Sequence, residues 1–175
     1  MTLKHSQQSP YSTNIIGHGN ATEKMMYKFL RDRNKSLSNQ KISYIVKTYI
    51  WESSYEGVNH DVAFVQMCHE TNFLNFGGTV VPQQNNFCGL GTTSSSERGA
   101  YFKTIKDGIR AHVQHLKAYG STTRLNNKCI DPRFSLVKRG TARNIYDLTG
   151  KWATDKNYGN ALHQKLEQLF SIRAM

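Results

Sequence analysis

Apolar residues recur along most of this chain at intervals of three and four, the spacing that gathers one face of an α-helix. The first such stripe is Met25, Met26, Phe29 and Leu30, preceded by Thr22, whose hydroxyl can accept from backbone amides left free at a helix start. A helix is therefore predicted over residues 22–32. Ser38 stands in the same capping position before Ile42, Ile45, Val46, Tyr49 and Ile50, and Gly57 supplies the left-handed stop for this second helix. Residues 61–71 are apolar nearly all round, as expected of a central helix enclosed by others. A fourth helix is predicted over residues 104–119, with Ile105, Ile109, Val113 and Leu116 facing inward and Gly120 ending it. In the last, Tyr158, Leu162, Leu166 and Leu169 share one face, and Thr154 or Asp155 is the expected cap.

Between these stripes the pattern breaks down. Residues 1–20 are polar, rich in Ser and Asn, and read as a tail or a strap lying on the domain. Residues 73–99 carry Gly77-Gly78, Asn85-Asn86, Gly89, Gly91 and the run Thr92 to Ser96, together with the buried-looking Phe87 and Leu90. A loop of that length inside a compact domain is expected to be functional, here as one wall of a cleft. Residues 126–150 form a second loop-rich stretch, with a short helix expected around 142–148. Neither a fixed-period repeat nor a strand-like alternation of useful length occurs, so residues 21–175 are expected to form a single, mainly α domain.

With 175 residues and 38% hydrophobic content, the chain can fill one core and has little material for a second. Lys and Arg outnumber Asp and Glu by 23 to 12, a net charge of +11, which favours an anionic partner such as nucleic acid, lipid head groups or an acidic cell-wall polymer. The basic residues are scattered, without zinc-finger spacing, an RNP-like signature or zipper heptads, so a nucleic-acid partner is not expected. No apolar stretch reaches the roughly 20 residues that span a bilayer, and the N-terminus lacks a signal-peptide apolar core. The chain as it stands reads as soluble, either cytoplasmic or a mature segment without its export signal. The three cysteines, Cys68, Cys88 and Cys129, match no zinc or thioredoxin spacing and read as inert thiols; Cys68 with Cys88 is the pairing to test if the protein is exported.

The chemistry concentrates at Glu70, at the end of the apolar third helix. A carboxylate there is costly unless it is protonated, paired or used, and desolvation raises its pKa toward the range of a general acid; the alternative is a carboxylate held by a buried hydrogen bond or ion pair. Gln66 lies four residues earlier and so on the same face. Asp61 reads as a charge favourable to the N-terminal dipole of that helix, and Glu56 as a tether between it and its predecessor. His112 and His115 are three apart on the fourth helix but have no evident third ligand, which favours packing or surface roles over a metal.

Three segments, in order, resemble one family. Ala63, Gln66, Glu70 and Thr71 match the Ala-x-x-Gln-x-x-x-Glu-Ser/Thr helix of bacterial cell-wall glucosaminidases, the autolysin-like family 73 glycoside hydrolases. Asn86-Phe87-Cys88-Gly89-Leu90 resembles their Asn-x-Phe-Gly loop, and Trp152-Ala153-Thr154-Asp155-Lys156-Asn157-Tyr158 their Tyr-Ala-Thr-Asp-x-x-Tyr segment. The resemblance spans residues 16–170 and is strongest to an exported branch with segments like 56–64 and 108–119 here.

That resemblance implies a lysozyme-like helical domain hydrolysing the bond after N-acetylglucosamine in peptidoglycan as an endo-β-N-acetylglucosaminidase. It implies no metal or cofactor, monomeric action and a periplasmic or extracellular setting. Glu70 would protonate the leaving oxygen, Tyr158 would stand near the reacting sugar, and Gln66 with Asn86, Phe87, Gly89 and Leu90 would shape the cleft. Trp152 would stack on a sugar face or close the core. The chain departs from the pattern at Cys88, which separates Phe87 from Gly89, and in lacking a clear second carboxylate. Glu97 is the acid in the corresponding region, either the base or a solvated loop residue; without it the substrate's own 2-acetamido group could act. A domain that has lost the second acid and only adheres to peptidoglycan is the alternative from another class.

Overall fold

Five α-helices and three short 3-10 turns make up the computed structural model, which describes residues 8–92 and 97–172. The helices α1 (Glu23–Arg33), α2 (Asn39–Glu56), α3 (His60–Glu70), α4 (Ile105–Gly120) and α5 (Tyr158–Ser171) follow the predicted order. Strand pairing among the described residues is limited to three isolated bridges, so the fold is mainly α. The local signals act as expected: Thr22 accepts from the Met25 amide, Ser38 from the Lys41 amide, and Gly57 takes φ 72° after α2. α3 is buried from His60 to Cys68, and α2, α4 and α5 pack around it. No described helix is long and apolar enough to cross a membrane.

The segment ahead of α1 is built into this core. Ile15 is wholly buried, its amide donates to the Arg143 carbonyl at 3.0 Å, and its carbonyl accepts from the Asn59 amide at 2.8 Å. Residues 1–7 of the expected tail lie outside the described residues. Asp61 does more than complement the dipole of α3: its wholly buried carboxylate accepts from the amides of Asn20 at 2.8 Å and Ala21 at 2.9 Å, which pins the strap to the central helix.

Four expectations are corrected. Glu56 does not tether α3 to α2; its buried carboxylate accepts from Lys117 on α4 at 2.9 Å and from the Asn126 and Asn127 amides, each at 2.9 Å, because those are the donors that the end of α2 meets. α5 starts later than a Thr154 or Asp155 cap would set it. Residues before it turn instead, with Asp155 Oδ1 accepting from the Asn157 amide, so that Asn157 occupies the capping position. The helix expected around 142–148 is a 3-10 turn, Ile145–Leu148, closed by Asn144 and Asp147. The Cys68–Cys88 pairing is not formed: all three cysteines are free thiols, and Cys68 and Cys88 sit in separate apolar clusters.

Candidate active site

α3 ends at Glu70, and the chain then reverses through three consecutive left-handed residues, Asn72, Phe73 and Leu74, with φ of 48°, 55° and 61°. For residues with a Cβ each such conformation costs about 1–2 kcal/mol. Tertiary bonds hold it: the Leu74 amide donates to Thr71 Oγ1 at 2.9 Å, and Asn34 Nδ2 donates to the Phe73 carbonyl at 2.9 Å. Strain of this kind concentrates at functional sites, and here it directly follows the carboxylate.

The first residue of α5 completes the centre. The Tyr158 hydroxyl donates to Glu70 Oε1 at 2.5 Å, and Gln66 Nε2 donates to the same hydroxyl at 2.8 Å. Behind them, His112 Nε2 lies 2.7 Å from Gln66 Oε1, and the Tyr49 hydroxyl 2.8 Å from His112 Nδ1. Gln66 and His112 are wholly buried.

Burial pushes the Glu70 carboxyl above its ordinary 4.5, while the Tyr158 hydroxyl and then the Trp152 indole act to lower it. Burial also holds the Tyr158 hydroxyl well above its usual range, with the charge of Glu70 adding to the effect. It lowers His112 to about 3, so that this imidazole is neutral at any ordinary pH.

The predicted loop supports the site through its backbone. The side chain of Asn86 is wholly buried: Nδ2 donates to the Leu90 carbonyl at 2.9 Å and Oδ1 accepts from the Leu90 amide at 3.0 Å. Phe87 belongs to the main core; Cys88 and Leu90 enter a smaller cluster with Phe102 and Ala111, which accommodates the extra residue. Gly89, at φ 70°, passes over Glu70: a Cβ there would lie 3.8 Å from Oε2. A Cβ on Gly108 of α4 would come 1.7 Å from the Asn85 carbonyl oxygen, so this glycine lets the helix seat the loop directly.

Two cavities share the Gly89 and Thr92 wall. One, of about 140 Å³, is lined by Glu70, Thr71, Phe76 and Asn86; the other, of about 180 Å³, by His115, Tyr119, Arg133 and Trp152. Trp152 is half-buried with its ring against His115, centroids 4.9 Å apart, and His112, 5.8 Å apart. His115 Nδ1 is bonded to the buried Asp131 carboxylate at 2.7 Å.

Glu70, Tyr158 and Gln66 thus come into direct contact, while Gly89, Leu90 and Trp152 line the cleft. Glu97 is exposed, just beyond residues 93–96, which lie outside the described residues; it lines neither cavity. Sequence reasoning did not find Tyr49 or Asp131 as parts of this neighbourhood, and it left His112 to a packing or surface role. Their partners lie far away along the chain, so no local spacing marks them.

The helical domain presents one desolvated carboxylate at the end of its buried central helix, on a cleft, the arrangement that the resemblance to lysozyme-like glucosaminidases implies. Residues 46–170 match the Glucosaminidase family model, described as mannosyl-glycoprotein endo-beta-N-acetylglucosaminidase, and the chain belongs to that family. It is 44% identical over 163 residues to an uncharacterized protein of Borreliella burgdorferi, covering 93% of this chain and 80% of that one. Its fold is similar to that of S. aureus Autolysin E, solved in complex with the muropeptide NAM-L-Ala-D-iGlu: TM-score 0.61, 13% identity, 95% of this chain and 74% of the other.

Proposed function

We propose that this chain is a peptidoglycan hydrolase of the cell envelope, an endo-β-N-acetylglucosaminidase with Glu70 as its general acid. One observation carries the reading: the Glu70 carboxyl is desolvated and its pKa raised, yet it lines a cleft, with Oε1 held by Tyr158 and Oε2 beneath Gly89. A carboxyl whose pKa burial raises above its ordinary 4.5 holds its proton more readily, which suits a proton donor and which a wall-adhesion module would not need. The muropeptide held by Autolysin E supports the same substrate class.

In this reading Glu70 gives its proton to the glycosidic oxygen as the bond from C1 to that oxygen breaks. Tyr158 orients the acid beside the reacting sugar, Trp152 offers an aromatic face to the glycan, and Gln66, Asn86, Phe87, Gly89 and Leu90 hold the cleft in shape. Glu70 is the one carboxylate among the described residues lining the two cavities, which favours the substrate's 2-acetamido oxygen as the group that bonds C1. Water then bonds C1 and gives its proton back to the Glu70 carboxylate as the bond from C1 to the acetamido oxygen of the oxazolinium ring breaks, and the anomeric configuration is retained. Glu97 acting as base on a water would instead invert it.

Mass spectrometry of digested peptidoglycan is expected to find reducing-end N-acetylglucosamine, and proton NMR of the first products the retained anomer. Reducing-end N-acetylmuramic acid or an anhydro product would refute the glucosaminidase assignment, and failure to clear a wall suspension would leave the adhesion module. The +11 charge serves encounter with an anionic wall, so raising NaCl from about 0.05 to 0.5 M is expected to weaken wall pelleting more than turnover of a small soluble substrate.

A further inference from the structure

We propose that Tyr49 and His112 are positioning residues that keep the transferable proton of Glu70 on Oε2, the oxygen under the Gly89 wall of the cleft. They do so by fixing the direction of a buried hydrogen-bond chain. The inference rests on Glu70 being the acid of the proposed reaction.

The chain runs Tyr49, His112, Gln66, Tyr158, Glu70, with successive separations of 2.8, 2.7, 2.8 and 2.5 Å. Its direction follows by elimination. An ionised Glu70 can only accept, so the Tyr158 hydroxyl must donate to Oε1. That uses the one proton of Tyr158, whose oxygen must then accept from the Gln66 amide nitrogen. Gln66 Oε1 in turn accepts from His112 Nε2–H, which leaves Nδ1 of the neutral imidazole as an acceptor for the Tyr49 hydroxyl.

When Glu70 becomes protonated, a second arrangement is open in principle. The whole chain could reverse, with Gln66 flipped and Tyr158 donating to it, and the acid proton of Glu70 would then sit on Oε1, turned inward toward Tyr158. Tyr49 opposes this. Its hydroxyl is wholly buried, and His112 Nδ1 is its one hydrogen-bond partner among the described residues. The reversed chain would place a proton on Nδ1 and strand the Tyr49 O–H without an acceptor, a desolvated donor with nothing to replace water. The forward chain therefore persists in both protonation states, and the acid proton stays on Oε2.

The titratable groups around this chain come from each packed element: Tyr49 on α2, Cys68 and His69 on α3, Cys88 on the loop, His115 on α4 with Asp131 bonded to it, and Tyr158 on α5. None of the partners that fix the chain changes charge across ordinary pH, since His112 stays neutral and the two tyrosines stay protonated.

Tyr49→Phe tests the inference, because it keeps the ring in the core and removes only the terminal donor. The expected result is a fall in kcat of about five- to tenfold with KM within about twofold. The basic limb of the pH profile should also move to higher pH, since a weaker donation from Tyr158 stabilises ionised Glu70 less. A merely structural role would lower activity without moving that limb. Proton–nitrogen NMR of the His112 ring is expected to show one Nε2–H tautomer in the wild type and a mixture in Tyr49→Phe. His112→Gln, which still offers an N–H toward Gln66, should retain more activity than His112→Met. Wild-type kcat and an unmoved limb in Tyr49→Phe overturn the inference, as does an Nδ1–H tautomer in the wild type. If the wild type cleaves no peptidoglycan, the proposed function fails by itself, and the tautomer measurement still decides the direction of the chain.

Discussion

Glu70→Gln is expected to lower the release of reducing ends from purified peptidoglycan by about 10²- to 10⁴-fold, the usual contribution of a positioned general acid. Gln preserves the acceptor for the Tyr158 hydroxyl and the volume of the side chain, so the fold should survive; it removes only the transferable proton. Activity within a factor of about ten of wild type would take the residue out of that role. The same substitution has a stability signature whose sign follows from the environment of the carboxyl. Burial raises the folded-state pKa of Glu70 above its ordinary 4.5, so the folded protein binds a proton more tightly than the unfolded chain does. The favourable contribution is fully present below about pH 4.5 and is lost as pH rises through the folded-state value. At neutral pH the wild type therefore bears the cost of a partly desolvated charge that the variant lacks. Thermal denaturation should find Glu70→Gln at least as stable as wild type at pH 7, with the difference narrowing as pH is lowered. A variant that is less stable at pH 7 than at pH 4.5, relative to wild type, would contradict the assigned environment.

How far such a site can be read from sequence depends on the range of the forces that build it. Thr22, Ser38 and Gly57 mark helix ends because a cap is satisfied within three or four residues, and Gln66 and Glu70 share a face by helical geometry alone. The left-handed run through Phe73 and Leu74 runs against the preferences of those residues and exists because Thr71 and Asn34 hold it, so propensity could not reveal it. Tyr49, His112 and Gln66 are brought together only when α2, α3 and α4 close, and in sequence each looks like an ordinary inward-facing residue. Glu56 illustrates the same limit: its partner Lys117 is 61 residues away, and a local reading turned to the neighbouring helix instead.

That pair carries the largest stability effect expected outside the site. Lys117→Met should destabilise the protein by about 3–5 kcal/mol, because it strands a charge that has no exposure to water. The Glu56 side chain is 0% exposed and that of Lys117 5%, with Nζ 2.9 Å from Oε2. The amides of Asn126 and Asn127 would remain as donors to the carboxylate, but they bring no countercharge. One helical turn earlier on α2, Glu52 holds Arg110 of α4 through two bonds of 3.0 Å, so the two ion pairs clamp α2 to α4, with Arg110 and Lys117 on either side of His112 along α4. Urea denaturation of Lys117→Met should show the loss, a large part of the roughly 5–15 kcal/mol that holds a domain of this kind together. Glu56→Gln combined with Lys117→Met should recover much of it, since breaking a buried pair costs more than replacing both members. A loss below about 1 kcal/mol in the single variant would mean that the pair behaves as an exposed one.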